Sequence, residues 1–336
     1  MGAFGPGAME HQFVKGFQRL GLEVLRFEIQ APIEAIRQQS LPYKLALRLV
    51  PDWFRKSLNR AVLAYAQAQK PEVILVFKGM DLFPDTIAAL KAHTHLLCNY
   101  NPDHPFLFFS RGAGNAHVKN SIRHYDLFFS YAQNIVQQLQ AHYGVQAIQI
   151  PFGYDSDLAV SANPWPGIVQ KVVFVGAWDP QRAVFFDQFA PNELAIFGPQ
   201  EWASRTGNQA NTRHNYQGRA LYDQDYIDVS AQALGAINLL RPQNIVESSH
   251  NMRTFEVPGY GGLLIAERTQ EQQAFFTEGE EALYFSSSEE LQAILQELSP
   301  ARAQSIKQKA RERAQRSGYS YTARSAEMLR HLEAHY

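Results

Sequence analysis

The spacing of its apolar runs constrains this chain more than any other feature. Residues 73–77 read VILVF, an unbroken apolar run of the kind that a parallel sheet buries on both faces. Pro71 stands in front of it, a helix is expected near 86–92 behind it, and a second run follows at 95–99. The alternation continues through a strand at 126–131, a helix over 132–143 closed by Gly144, and a strand at 147–150. That rhythm marks an α/β doubly wound domain, in which ligands gather beyond the carboxyl ends of the strands. It pauses at SANPWPG, residues 161–167, which reads as a linker, and restarts with strands at 171–175, 193–197, 235–240, 263–266 and 282–285. The expectation is two Rossmann-like domains, 1–160 and 161–336, and 336 residues suffice for two buried cores.

Less regular segments complete the pattern. Residues 2–8, GAFGPGA, form a glycine-rich turn feeding a helix with Phe13, Val14, Phe17 and Leu20 at helical spacing, and Gly21 ends it before a strand at 23–29. Either residues 1–4 supply a short first strand or the natural chain starts earlier. Further helices are expected at 53–69, with Asp52 as its cap, and at 222–232, 289–298, 301–315 and 321–335. The stretch 200–218 reads as a polar loop.

Composition removes several function classes. Hydrophobic residues at 46% and charged ones at 19% describe a soluble globular chain. A formal net charge of −1 offers no basic footprint for nucleic acid or an anionic membrane. No apolar run approaches the length needed to span a bilayer, no signal-like start is present, and Pro6 stands where a myristoylation motif wants Ser or Thr. A cytoplasmic protein is expected, with Cys98 an inert buried thiol. The 22 Phe and 15 Tyr lack interleaved basic residues, so they read as core and sugar-stacking surface.

The chemistry concentrates in 247–267, ESSHNMRTFEVPGYGGLLIAE, where a polar run leads into a short helix, a glycine turn and an apolar strand. Arg253 just inside the helix can fork onto a phosphate. Glu256, three positions on and on the same face, can only accept hydrogen bonds when ionised and suits a pair of sugar hydroxyls. The residues alone leave two readings open: a nucleoside-diphosphate clamp, or a surface ion pair followed by a glycine helix cap. Gly176, Trp178 and Arg182 directly follow the strand at 171–175 and form a second anion-binding candidate, while Gly198 turns the chain after 193–197. In the first half, Asp103 and His104 lie on a proline-stiffened loop beyond a strand end, where a general base for a sugar hydroxyl would sit, or where they would only cap and face solvent. His11 is a weaker candidate of the same kind.

The pattern Arg253-Thr254-Phe255-Glu256, with Gly261 five residues on, resembles the donor loop of GT-B glycosyltransferases, and within them the CgeB-like, spore-maturation-type group. That resemblance implies a GT-B fold, with an acceptor domain at 1–160, a nucleotide-sugar donor domain at 161–336 and a last helix that can cross back to the first domain. It implies that Glu256 contacts the donor ribose, that Gly261 completes the loop, and that Gly176, Trp178 and Arg182 lie against the diphosphate, with Gly198 nearby. Family glutamates are usually separated by seven residues; here eight lie between Glu247 and Glu256, which leaves Glu256 as the match. An Asp-x-Pro after the corresponding strand in CgeB-like sequences favours Asp103 over His104 as the catalytic residue.

The function implied is transfer of a sugar from a nucleotide-diphosphate donor to a carbohydrate, protein or small-molecule acceptor, without a cofactor and, on the reading that neither an Asp-x-Asp metal motif nor a His/Cys cluster is present, without a metal. The rival readings are a nucleotide-sugar epimerase on the same plan and a catalytically silent sugar-binding or assembly protein. An NAD enzyme is disfavoured, since no complete Gly-x-Gly-x-x-Gly follows a strand.

Overall fold

The computed structural model describes residues 1–4, 8–29, 31, 51–109 and 112–336. It divides into two compact units: Met1–Pro151 with Thr322–Tyr336, and Phe152–Tyr321. Each is built on its own parallel sheet, so the chain is α/β with two sheets.

In the first unit, strands β1 (Val73–Phe77), β2 (Leu96–Asn101), β3 (Leu127–Ser130) and β4 (Gln146–Gln149) lie in the order β1-β2-β3-β4. Every pair is parallel, with Val73 opposite Leu96 and Cys98 opposite Leu127. All six residues of β2 and all four of β3 are buried, which is why 96–98 and 127–129 are unbroken apolar runs, with the polar Asn99, Asn101 and Ser130 gathered toward the carboxyl ends. The helix Gln133–Tyr143 ends because Gly144 takes φ 64°, a left-handed conformation that a glycine adopts without a side-chain clash. Helix Met9–Arg19 packs Phe13 against Phe77 and Tyr100, with ring centroids 5.7 and 5.1 Å apart. The final helix, Tyr321–Glu333, enters this unit at Thr322, where Arg19 Nη1 donates to Thr322 Oγ1 at 3.0 Å.

In the second unit, β5 (Val172–Val175), β6 (Leu194–Phe197), β7 (Gly235–Asn238), β8 (Leu264–Glu267) and β9 (Leu283–Phe285) run parallel in the order β6-β5-β7-β8-β9. Chain order reverses between β5 and β7, so the crevice outside their carboxyl ends is the topological switch point, where such sheets bind ligands. The core centres on Phe174, Phe186 and Trp202, with Phe174 4.8 Å from Phe186 and 5.9 Å from Trp202. Burying each such side chain stabilises the fold by about 1.5–3 kcal/mol.

Several sequence expectations need correction. Residues 23–29 form no strand: Glu28 makes an isolated bridge to Gly2, while Leu22 and Leu25 stay 39% and 43% exposed, so the alternation builds no buried face. Asp52 is no cap, because the helix Pro51–Gln69 starts before it; it pairs instead with Arg55 at 3.0 Å. The stretch 161–167 is not a linker. Asp228 accepts from the Ser161 amide and hydroxyl at 2.7 and 2.6 Å, Gln232 accepts from the Trp165 amide at 2.6 Å, and Arg219 lies over the Trp165 ring, so the segment is strapped onto the second unit. The units therefore divide at Pro151, earlier than 160. The polar-looking 200–218 holds two short helices, Glu201–Ser204 and Ala210–Asn215, anchored by fully buried Trp202 and by Thr212, whose hydroxyl donates to the Ala183 carbonyl at 2.7 Å. Residues 5–7 of the turn at 2–8 lie outside the described residues, as does most of 31–50. No described helix is long and apolar enough to cross a membrane.

Candidate functional site

The switch-point crevice of the second unit is lined by the turn after β5, the end of β7 and the segment leading into helix Arg253–Gly259. Two reciprocal amide bonds pin that segment to β7: Asn238 Nδ2 donates to Asn251 Oδ1 at 3.0 Å, and Asn251 Nδ2 to Asn238 Oδ1 at 2.8 Å. Arg253 follows two residues later, and its Nε is buried with no hydrogen-bond partner among the described residues. An unpartnered buried donor costs about 1–3 kcal/mol, a penalty that a bound anion would remove.

Arg182 reaches the same crevice from the other wall. Its guanidinium donates to the carbonyls of Ala177 at 3.2 Å and Leu239 at 2.9 Å, bridging the ends of β5 and β7. Burial and the neighbouring Arg253 cation lower its pKa to about 10, with Arg241 adding to the repulsion and Asp179 and Glu267 opposing it. Glu267, at the end of β8, is itself held by the Leu240 amide. Burial raises its carboxyl above the usual range, against the pull of Leu240 and Arg182. The crevice thus gathers three arginines, one with a free buried N–H, around a space where phosphate charge would be favoured.

Glu256 sits one turn along from Arg253, and Tyr226, on the helix Asp223–Gln232, donates its phenol to Glu256 Oε2 at 2.9 Å. Burial raises the Glu256 carboxyl, while Arg253 and the Tyr226 hydrogen bond hold the rise in check. A carboxylate offers about four lone-pair sites, so Glu256 retains capacity for ligand hydroxyls.

The structure brings Arg182, Arg253 and Glu256 together, and Gly176 lies beneath them in the β5 turn, where an added Cβ would meet the Phe174 ring at 2.7 Å. The first-turn amides of helix Pro180–Phe186 are not an anion site, because the Asp179 carboxylate already accepts from Gln181 and Arg182. Trp178 turns away with Pro180 and Val184, lining a groove of about 400 Å³ with Arg205, Asn208 and Gln209. Gly198 is glycine for packing: a Cβ there would lie 2.2 Å from the Gly176 carbonyl and 2.4 Å from Trp202 Nε1. Gly261 lies past the carboxyl-terminal end of Arg253–Gly259, away from Arg253, and φ of 85° explains its identity. Glu247 is buried in the turn after helix Pro242–Val246, 3% exposed.

In the first unit, Asp103 lies beyond β2, and its Oδ2 accepts from Lys78 Nζ at 2.6 Å. Lys78, in the left-handed region at φ 60°, also donates to the Gly112 carbonyl at 2.5 Å. The catalytic reading of His104 is corrected. It is fully buried, its Nδ1 accepts from the Leu107 amide at 3.0 Å, and burial lowers its pKa to about 4, so it folds the loop as a neutral imidazole. His11 lies on helix Met9–Arg19.

Sequence reasoning missed Tyr226, which reads as one more aromatic on an amphipathic helix, and Lys78, whose position directly after an apolar strand was the available signal. The expectation of no Asp-x-Asp is corrected by two such triplets, one at 155–157 and one at 223–225. In one, Asp155 accepts from the Asp157 amide at 3.0 Å; in the other, Asp225 pairs with Arg219. Neither converges into a metal site, and among the described residues no three His, Cys, Asp or Glu side chains do.

Residues 181–330 match a family model described as glycosyl transferase-like. A search of curated proteins by sequence finds no match. Among solved structures, a glycosyltransferase from Rickettsia africae aligns over 100% of this chain and 97% of its own, with a TM-score of 0.65 at 10% identity. Sucrose-phosphate synthase from Thermosynechococcus elongatus aligns over 85% of this chain and 80% of its own, at 0.63 and 15%. The pneumococcal O-GlcNAc transferase GtfA, solved with UDP and GlcNAc, aligns over 82% of this chain and 59% of its own, at 0.57 and 14%. The chain has the GT-B fold of these glycosyltransferase structures, and its residues 181–330 are similar to the glycosyl transferase-like family.

Proposed function

We propose that this protein is a glycosyltransferase of the CgeB-like kind, which takes a sugar from a nucleoside-diphosphate donor held in the second unit and passes it to an acceptor at the first. The observation that carries the reading is Arg253: a half-buried side chain whose buried Nε has no partner among the described residues, set beside a glutamate whose own partner is a neutral phenol. Arg253, with Arg182 and Arg241 close by, would receive the diphosphate, and Glu256 the ribose hydroxyls. As the glycosidic bond breaks, negative charge grows on the leaving phosphate, and fixed cations at a sheet edge stabilise that charge without reorganising. This supplies by side chains what a divalent ion supplies elsewhere, so the reaction needs neither metal nor cofactor. The pneumococcal enzyme crystallised with UDP lends support to a nucleotide donor.

Asp103 is the acceptor-side candidate, beyond β2 and oriented by Lys78. The test is donor hydrolysis across a panel of nucleotide sugars with no acceptor, run with and without EDTA. Slow release of one sugar, unchanged by EDTA, is expected. No hydrolysis of any donor and no nucleoside-diphosphate binding would overturn the reading, and a loss in EDTA restored by Mg²⁺ would overturn its metal independence.

A further inference from the structure

Arg253 and Glu256 carry opposite charges one helical turn apart, a spacing at which such pairs ordinarily close on one another. Here they do not: no salt bridge joins them among the described residues, and Arg253 Nε has no partner. What Glu256 has instead is the Tyr226 phenol, 2.9 Å from Oε2, presented by a different helix. Burial keeps that phenol protonated, so it acts as a donor and competes with Arg253 for the carboxylate.

We propose that Tyr226 is a positioning residue that sets selectivity for a ribonucleotide donor. By holding one oxygen of Glu256, it keeps the carboxylate from collapsing onto Arg253. The guanidinium stays open for phosphate and the other carboxylate oxygen stays open for a ribose hydroxyl. The inference rests on the proposed donor reading and adds the partner that keeps its two halves apart. Without the phenol, Glu256 would turn to Arg253, and both the hydroxyl acceptor and the phosphate donor would be compromised, the first more directly.

Calorimetric titration tests this with the four ribonucleoside diphosphates and their 2′-deoxy counterparts, using the base that binds best. The wild type should prefer the ribo form, and Tyr226→Phe, which keeps the ring and loses the hydroxyl, should lose about tenfold in affinity for it. The deoxy form should weaken by much less, so discrimination narrows. The pH at which ribo affinity fails should also rise in the variant, because the phenol helps keep Glu256 ionised. A merely structural Tyr226 would weaken both ligands alike and leave that pH unmoved. Equal losses, or an unchanged ribo-to-deoxy ratio, overturn the proposal. Wild-type binding with no ribo preference overturns it while leaving the diphosphate site standing, whereas no diphosphate binding at all removes the donor reading and this inference with it.

Discussion

Both units place titratable side chains beyond the carboxyl ends of a parallel sheet, and those side chains differ in how they are satisfied, although the first unit also buries Asn101 Nδ2 and Ser130 Oγ at its strand ends without a partner among the described residues. In the first unit, Asp103 meets Lys78, Lys78 meets the Gly112 carbonyl, and His104 meets the amide of Leu107. In the second, Arg253 and Arg241 both repel Arg182, and Arg253 Nε has no partner among the described residues. Buried polar groups are almost always paired, so a group left wanting marks where a ligand belongs, while a self-satisfied group marks a preset geometry. On the proposed function, the second unit should therefore be read out in affinity and the first in rate.

The largest expected effect is on rate. Asp103→Asn keeps the side chain's shape and removes its charge, and transfer should fall by about a hundredfold or more, the range for loss of a general base. Affinity for nucleoside diphosphate should not change. Steady-state kinetics beside a binding titration check this, and an equal fall in both would place Asp103 on the donor side and break the comparison.

Next comes a pH effect confined to the first unit. Burial depresses the His104 imidazole from 6.5 to about 4. A group whose folded pKa is lowered contributes stability that is fully present above the unfolded value, near 6.5, and lost as pH falls through the folded value. At about 1.4 kcal/mol per pH unit, the loss across that window is about 3 kcal/mol. Denaturant unfolding at pH 7 and pH 4.5 should show it. His104→Asn, whose amide oxygen can still accept from Leu107, should lack this component. An undiminished acid loss in the variant would mean that another group is responsible.

On the donor side, Arg253→Ala should weaken a nucleoside diphosphate by about ten- to a hundredfold, since a hydrogen bond to a charged group is worth about 1.5–3 kcal/mol. The bare nucleoside, having no phosphate to lose, should bind almost as before. Calorimetry with both ligands decides it. Equal weakening of the two would show that Arg253 supports the fold of the crevice rather than the phosphate.

How far the sequence could be read follows from the same distinction. The buried strands were legible, because burial on both faces writes itself as unbroken apolar runs such as 172–175. The placement of Arg253 and Glu256 on one short helix was legible from their spacing. The bond from Tyr226 to Glu256 was not, since it joins two helices and no local pattern encodes it. His104 misled for a related reason: next to Asp103 in sequence it reads as a catalytic neighbour, yet its burial and its bonds to loop amides are properties of the folded loop. The strap at 161–167 was misread because Pro and Gly signal the absence of regular structure, which is compatible with tight anchoring by Asp228 and Gln232.

The smallest effect separates two things that the 247–267 stretch ran together. Gly261 stands at φ 85°, a left-handed conformation that costs a side-chain-bearing residue about 1 kcal/mol. An added Cβ would meet only the Arg311 side chain, at 3.5 Å, an ordinary contact. Gly261→Ala should thus lose about that much stability through backbone strain alone. It lies past the end of a seven-residue helix that starts at Arg253, about 10 Å from the crevice, so diphosphate affinity should hold. Thermal unfolding and a binding titration on the same variant check both halves. If affinity dropped severalfold while stability held, the glycine turn would belong to the donor site after all, and that site would extend along the whole helix rather than gather at its first turn.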